Sequence, residues 1–367
     1  MADIAATAAR EVHYPCDRCG ADLRFAPGQT SLVCDHCGHL QQIAAPAAPE
    51  AATGLRELAL KDGLAADLPP GTEVEARTTH CPNCGALVEF AGDRHASECP
   101  FCATPVIVDT GTHRAIKPQA LIPFALTEEA ARAALGRWLK SRWFAPSGLG
   151  EFARKGRRMQ GIYTPFWTFD ADTRSRYAGQ RGDAYYTTRT VRRDGKTRTI
   201  RERHIRWRPV QGTVARRFDD VLVLGSTSLP KPMTDALAPW DLAALVPWRD
   251  DYLSGFLAEG YTVPLAAAHG EAREAMARVI ASDVRADIGG DEQRVTSVDT
   301  VHQRETFKHV LLPVWVAAYK YRGESYRCVV NGQTGKVDGE RPWSPWKIAL
   351  AVLLALAVAA AVYALSR

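Results

Sequence analysis

Eight of the nine cysteines fall into four C-x-x-C pairs, Cys16/Cys19, Cys34/Cys37, Cys81/Cys84 and Cys99/Cys102, and Cys328 stands alone. The pairs repeat as a unit. Cys16-Asp17-Arg18-Cys19-Gly20 and Cys34-Asp35-His36-Cys37-Gly38 enclose an insert as long as the one between Cys81-Pro82-Asn83-Cys84-Gly85 and Cys99-Pro100-Phe101-Cys102. Ala21, Leu23 and Phe25 map onto Ala86, Val88 and Phe90, the alternation of a short strand leaving the first knuckle. A module of about 25 residues cannot bury enough apolar surface to fold unaided. Two knuckles converging on one ion can, because structural zinc contributes on the order of 10–16 kcal/mol of apparent binding energy. The pattern therefore predicts two zinc ribbons and two structural Zn2+ ions, one held by Cys16, Cys19, Cys34 and Cys37, the other by Cys81, Cys84, Cys99 and Cys102.

Gly20, Gly38 and Gly85 supply the permissive backbone that lets amides approach sulfur; Ala103 follows Cys102 where a glycine is usual. Four thiolates leave no open position for water, which speaks against hydrolytic zinc. A rubredoxin-like iron site shares the spacing. A dithiol redox centre would come as one C-x-x-C pair on a helix in a thioredoxin-like setting. His36, His39, His80 and His95 lie near the ligands and read as surface charge beside an anionic centre.

With 367 residues and 46% apolar composition, the chain has room for two or three folded units. The charge balance, 46 Lys and Arg against 41 Asp and Glu, leaves +5, so any polyanion contact must be local. Met1 to Tyr14 lacks a charged start followed by an apolar core, so a reducing compartment is expected, where paired cysteines read as metal ligands.

The expected fold class is α+β. Zinc ribbon 1 covers 12–43, an Ala/Pro-rich linker with a short helix near Leu55 to Leu64 covers 44–76, and zinc ribbon 2 covers 77–109. The ribbons need no fixed orientation. An α+β domain over 116–342 follows. Thr127-Glu128-Glu129 opens a helix over Ala130 to Lys140, and a second amphipathic helix runs from Glu271 to Val284 after His269-Gly270. Each precedes an aromatic strand, Tyr163-Thr164-Pro165-Phe166-Trp167 or Leu311-Leu312-Pro313-Val314-Trp315, suggesting two related units, each a helix on an antiparallel meander. Asp194-Gly195 and Asn331-Gly332 are hairpin signals, and the Trp and Tyr residues read as core.

No catalytic set assembles. Gly332-Gln333-Thr334-Gly335-Lys336 lacks P-loop spacing and reads as a hairpin turn; Asp291-Glu292 is not part of a helicase motif; Cys328, in an alternating strand, reads as a buried, inert thiol. Between Arg174 and Arg217 lie fourteen Lys and Arg, Arg201, Arg203, Arg206 and Arg208 among them, against Asp183, Asp194 and Glu202. Anionic lipid, nucleic acid and a solvated ribbon are the readings of that segment.

Ile348 to Leu365 is eighteen uncharged residues, about 27 Å of helix against a hydrocarbon core of roughly 30 Å. A single-pass transmembrane helix over 347–365 is expected, with Trp343, Trp346 and Lys347 as interfacial anchors. Arg341 and Lys347 place the N-terminal bulk in the cytoplasm, on the inner face of the cytoplasmic membrane, in a tail-anchored arrangement.

The ribbons, Tyr163-Thr164-Pro165-Phe166-Trp167-Thr168-Phe169-Asp170 and Val330-Asn331-Gly332-Gln333-Thr334-Gly335-Lys336-Val337 before a terminal span together resemble a bacterial family of membrane-anchored tandem zinc-ribbon proteins. Its members are often auto-named primosomal protein N-prime (replication factor Y), superfamily II helicase. With no catalytic set, the chain is expected to be a non-enzymatic adaptor with no small-molecule substrate; the resemblance implies a place in envelope or membrane-stress assemblies, with an SPFH-type membrane scaffold protein as partner. The alternative, a replication-associated nucleic-acid-binding protein, draws on the ribbons and the basic strands.

Overall fold

The computed structural model describes residues 14–43, 55, 57–69, 71–81, 87–89, 96–98, 105–107, 112–146, 159–193, 196–321 and 324–365. The first cysteine module is a three-stranded antiparallel sheet of β1 (Leu23–Phe25), β2 (Ser31–Cys34) and β3 (Leu40–Gln42). Its register, Leu23 opposite Cys34 and Phe25 opposite Leu32, places these four side chains on one buried face. After β4 (Leu58–Ala59) and α1 (Leu60–Leu64) comes β5 (Glu73–His80), which pairs with β6 (Leu87–Glu89) and with β9 (Thr112–Ile116). Between β6 and β9, β7 (Ala96–Glu98) pairs with β8 (Pro105–Ile107). Cys84, Cys99 and Cys102 lie outside the described residues, so a second ribbon is not shown.

The larger domain is built on one sheet. Its elements are β10 (Ala120–Leu121), α2 (Glu128–Ser141), β11 (Gln160–Arg193), β12 (Lys196–Leu224), α3 (Lys231–Asp235), β13 (Val246–Pro247), β14 (Leu257–Ala258), α4 (Leu265–Ile288), β15 (Glu292–Tyr321), β16 (Glu324–Asn331), β17 (Val337–Gly339) and α5 (Pro345–Leu365). The main path is β12-β11-β15-β10-β13, with β16 and then β17 continuing from β15. Strands β11, β12 and β15 have 34, 29 and 30 residues, far beyond a usual length of about five or six. The two aromatic segments are cross-strand neighbours, Tyr163 opposite Pro313 and Pro165 opposite Leu311. The helix-plus-strand repeat thus contributes to a shared sheet instead of two separate meanders.

Near the base of these strands both faces are covered, and every residue from Gly161 to Ala171 is buried. On one face Tyr163 joins α2 and the first cysteine module; on the other Ile162 meets Leu229, Met233 and Val314, and Phe166 meets Leu224, Val310 and Leu312. Past Ala171 the pattern changes to alternation, with Thr173, Ser175 and Tyr177 buried and Arg174 and Arg176 exposed. Helix α4 covers that single face. Its stripe of Leu265, Ala268, Ala272, Met276, Ile280, Val284 and Ile288 packs in the same cluster as Phe169, Tyr177, Phe218 and Phe307. Beyond Gly182 opposite Glu292, β11 and β12 continue alone to Arg193 opposite Lys196; the Asp194-Gly195 turn lies outside the described residues.

Helix α2 begins as its cap predicts, with Thr127 Oγ1 accepting from Ala130 N at 3.3 Å. Helix α4 starts earlier than Glu271, straight after Pro264. Gly270 does not end it: a Cβ there would meet nothing within 4 Å, so the glycine sits on the open face while Leu265 and Ala268 are held in the core. The expected Asn331-Gly332 turn forms between β16 and β17, with Asn331 Oδ1 accepting from the amides of Gln333 and Thr334. Helix α5 is long and apolar enough to cross a membrane by length and composition, and none of its span is buried against the protein. At its start, Ser344 N donates to Phe144 O and Lys347 Nζ to Ala145 O, each at 2.8 Å.

Candidate metal centre

Two tight turns present the first four sulfurs. In one, Gly20 at φ +73° lets its amide reach Cys16 O at 2.8 Å; in the other, Gly38 at φ +71° does the same with Cys34 O at 2.9 Å. Strand β2 ends on Cys34 and so delivers the second knuckle. The four Sγ atoms lie within 4.8 Å of one another, with Cys16 to Cys37 at 3.6 Å and Cys19 to Cys34 at 3.5 Å. A tetrahedral ion with bonds of about 2.3 Å to sulfur has S–S edges of about 3.8 Å, so the ligand set fits a metal. His36 and His39 do not join it.

Without a cation these thiols work against one another. The amides of Cys37 and His36 point at the Cys34 sulfur and, over the opposing effect of burial, bring that thiol down to about 7. At Cys19 the Ala21 amide favours the thiolate, yet its hydrogen bond with the Cys37 sulfur, burial, and contacts with Cys34 and Cys16 outweigh it and push that thiol up to about 12. One site ionises easily and its neighbour then resists. A bound divalent cation removes that conflict by stabilising all four thiolates together.

The module is fastened to the large domain. Phe25 N donates to Ser254 O at 3.0 Å, Ser254 Oγ to Leu23 O at 2.5 Å, and Gly28 N to Phe124 O at 2.8 Å. The Phe25 ring is fully buried, edge-on to Tyr252 with centroids 5.2 Å apart. Cys16 and Cys34, at 3% and 1% exposure, belong to the cluster that holds Phe124, Tyr163 and Trp315. A freely oriented first ribbon is therefore not what forms. Aromatic burial in the 248–256 segment overrides the independence that a short cysteine module suggests. Of the second ligand set only Cys81 is described; it is buried beside Leu229, Met233 and Val316.

The sequence reading missed a charged cluster. Lys308, almost fully buried, places Nζ 2.8 Å from Asp220, 3.1 Å from Glu57 and 3.6 Å from Asp170. Burial opposes its charge, but Asp220 and Asp170 outweigh that and hold its pKa above the ordinary lysine value. Burial raises the Asp170 carboxyl. Glu57, Asp170 and Asp219 bring carboxylates close enough for a cation, and Lys308 already supplies one at Glu57 and Asp170. Strand β4 pairs here with β15, so the inter-module segment is docked where a linker was expected. The available signal was an Asp and a Lys interrupting the apolar runs around Phe169 and Phe307.

Cys328 is buried, and burial pushes its thiol up to about 12, in keeping with an inert side chain. Tyr163, Trp167 and Trp315 are core, whereas Tyr185, Tyr186, Trp343 and Trp346 are exposed. The basic segment forms the outer parts of β11 and β12.

The chain is 26% identical over 351 residues to an uncharacterized protein, YdjG, of Bacillus subtilis (strain 168), with 92% of each chain covered. No protein-family profile matches. No solved structure matches either.

Proposed function

We propose that the protein is a non-enzymatic adaptor, held in the cytoplasmic membrane by α5 with its bulk in the cytoplasm, and shaped at its N-terminal end by structural zinc. The convergence of four sulfurs at tetrahedral spacing, welded into the core of the sheet domain, carries this reading. A closed set of four thiolates serves architecture and leaves no position for substrate. The equal spacing of Cys81, Cys84, Cys99 and Cys102 extends the assignment to a second zinc. Trp346, 84% exposed, and the uncovered α5 support insertion, with Arg341 and Lys347 on the cytoplasmic side. The buried hydroxyls of Ser226 and Ser228 both bond Glu259, an arrangement suited to holding the fold together. Partners are proteins at the membrane surface, an SPFH-type scaffold among the kinds that the family resemblance implies.

Elemental analysis of the purified full-length protein tests the metal: zinc approaching two ions per chain is expected, and iron or no metal overturns the assignment. Cys34→Ser should remove one ion and lower the melting temperature of the whole domain. Alkaline carbonate extraction tests the anchor, where release into the soluble fraction overturns it. Nucleotide hydrolysis above background would overturn the non-enzymatic reading.

A further inference from the structure

Past Ala171 the two faces of the long sheet differ in charge as well as in cover. On the α4 side, Arg181 and Arg208 both meet Asp183 and Arg216 meets Asp283 at 2.5 Å, while Arg189 and Arg206, farther out on that side, have no ion pair among the described residues. Strand alternation puts Arg174, Arg176, Arg201 and Arg217 on the bare side. All four are exposed and have no ion pair among the described residues. Arg201 lies over the Tyr186 ring at 3.8 Å, and Arg294 of β15 over Trp207 at 3.9 Å. Of the acids on this side, Asp172 is engaged by Arg304 and Glu292 by Arg203, and Asp299 is exposed opposite Arg176 with no ion pair among the described residues, so the arginines outnumber them. From Asp172 opposite Arg217 to Thr188 opposite Arg201 the strip runs roughly 50 Å, at about 3.3 Å per residue.

We propose that this bare arginine face docks on anionic phospholipid of the membrane that α5 enters; the inference rests on the membrane reading of α5. An extended strip of unpaired guanidinium groups matches an extended array of phosphates, and tethering through α5 keeps the strip at high effective concentration near such a surface. Guanidinium groups stacked on Tyr and Trp suit the headgroup level, where amphipathic rings and long basic side chains sit together. The same stacking covers ring faces that bases of single-stranded nucleic acid would need, which favours lipid over that partner. Alternation also separates residues that the sequence groups together: Arg206 and Arg208 point to the α4 side, away from Arg201 and Arg203.

The test reconstitutes full-length protein into supported bilayers of phosphatidylcholine, with or without phosphatidylglycerol, and measures the protein layer by neutron reflectometry. A layer about twofold thinner on the anionic bilayer is expected, reverting in high salt. Changing Arg174, Arg176, Arg201 and Arg217 together to Gln should abolish the thinning, the matching Lys variant should keep it, and Arg189→Gln with Arg206→Gln on the other face should leave it intact. Equal thickness on both bilayers overturns the proposal while the anchor stands. Protein washed from the bilayer by carbonate overturns the anchor and the proposal with it. Lipid-independent thickness combined with salt-sensitive capture of single-stranded oligothymidylate, lost in the Gln variant, overturns it in favour of nucleic acid.

Discussion

The base of the long sheet and its outer extension share the strands β11, β12 and β15 yet are held together in different ways. At the base both faces are sealed, so polar groups such as Lys308 and His309 are buried among neighbours that must accommodate them. In the extension one face rests on α4 and the other meets solvent, so polar residues alternate with buried ones. Strand continuity therefore does not make the sheet energetically uniform: the base carries the stability and the extension is free to vary its surface.

Substitutions can break that division. Trp167→Ala at the base, which empties a fully buried ring and removes the Nε1 bond to Val263 O, should cost about 3–5 kcal/mol by chemical denaturation. Acid should act next. His309 is buried with Nδ1 2.7 Å from Ile116 O, Nε2 has no partner, and burial lowers its pKa to about 4. The native state holds it neutral, so its contribution is complete above its unfolded pKa of about 6.5 and is lost as pH falls toward 4. Up to roughly 3 kcal/mol should disappear over that window, and His309→Gln should flatten this part of the stability profile. Along the extension, Ile280→Val in α4 should cost only about 0.5–1.5 kcal/mol. Arg216→Gln, at a solvent-facing pair with Asp283, should move the melting temperature by under about 3 °C. If Ile280→Val proves as damaging as Trp167→Ala, the contrast between base and extension is wrong.

Legibility followed a different boundary. Features set by nearby residues were readable: the Thr127 cap, the Asn331 turn, the knuckle glycines and the apolar tail. The sealed run Gly161 to Ala171 carries polar Thr164, Thr168 and Asp170, so no change of period in the sequence marks where burial of both faces gives way to alternation. Nor were long-range decisions readable. The start of α4 depends on what Leu265 and Ala268 touch, beyond the local effect of Gly270. The pairing of the two aromatic segments joins residues about 150 positions apart, such as Tyr163 and Pro313. Docking of the first cysteine module depends on Tyr252, Ser254 and Phe256, which carry no motif. The Lys308 cluster draws on Glu57, Asp170 and Asp220, three separate stretches of chain.

The sulfur centre faces two ways. Cys16 and Cys34 are sealed inside, Cys37 is half-buried and Cys19 is exposed. Reagents arriving from solvent, whether chelator, oxidant or alkylating agent, therefore meet the outer pair first, Cys19 most openly and Cys37 beside it, before they reach Cys16 and Cys34.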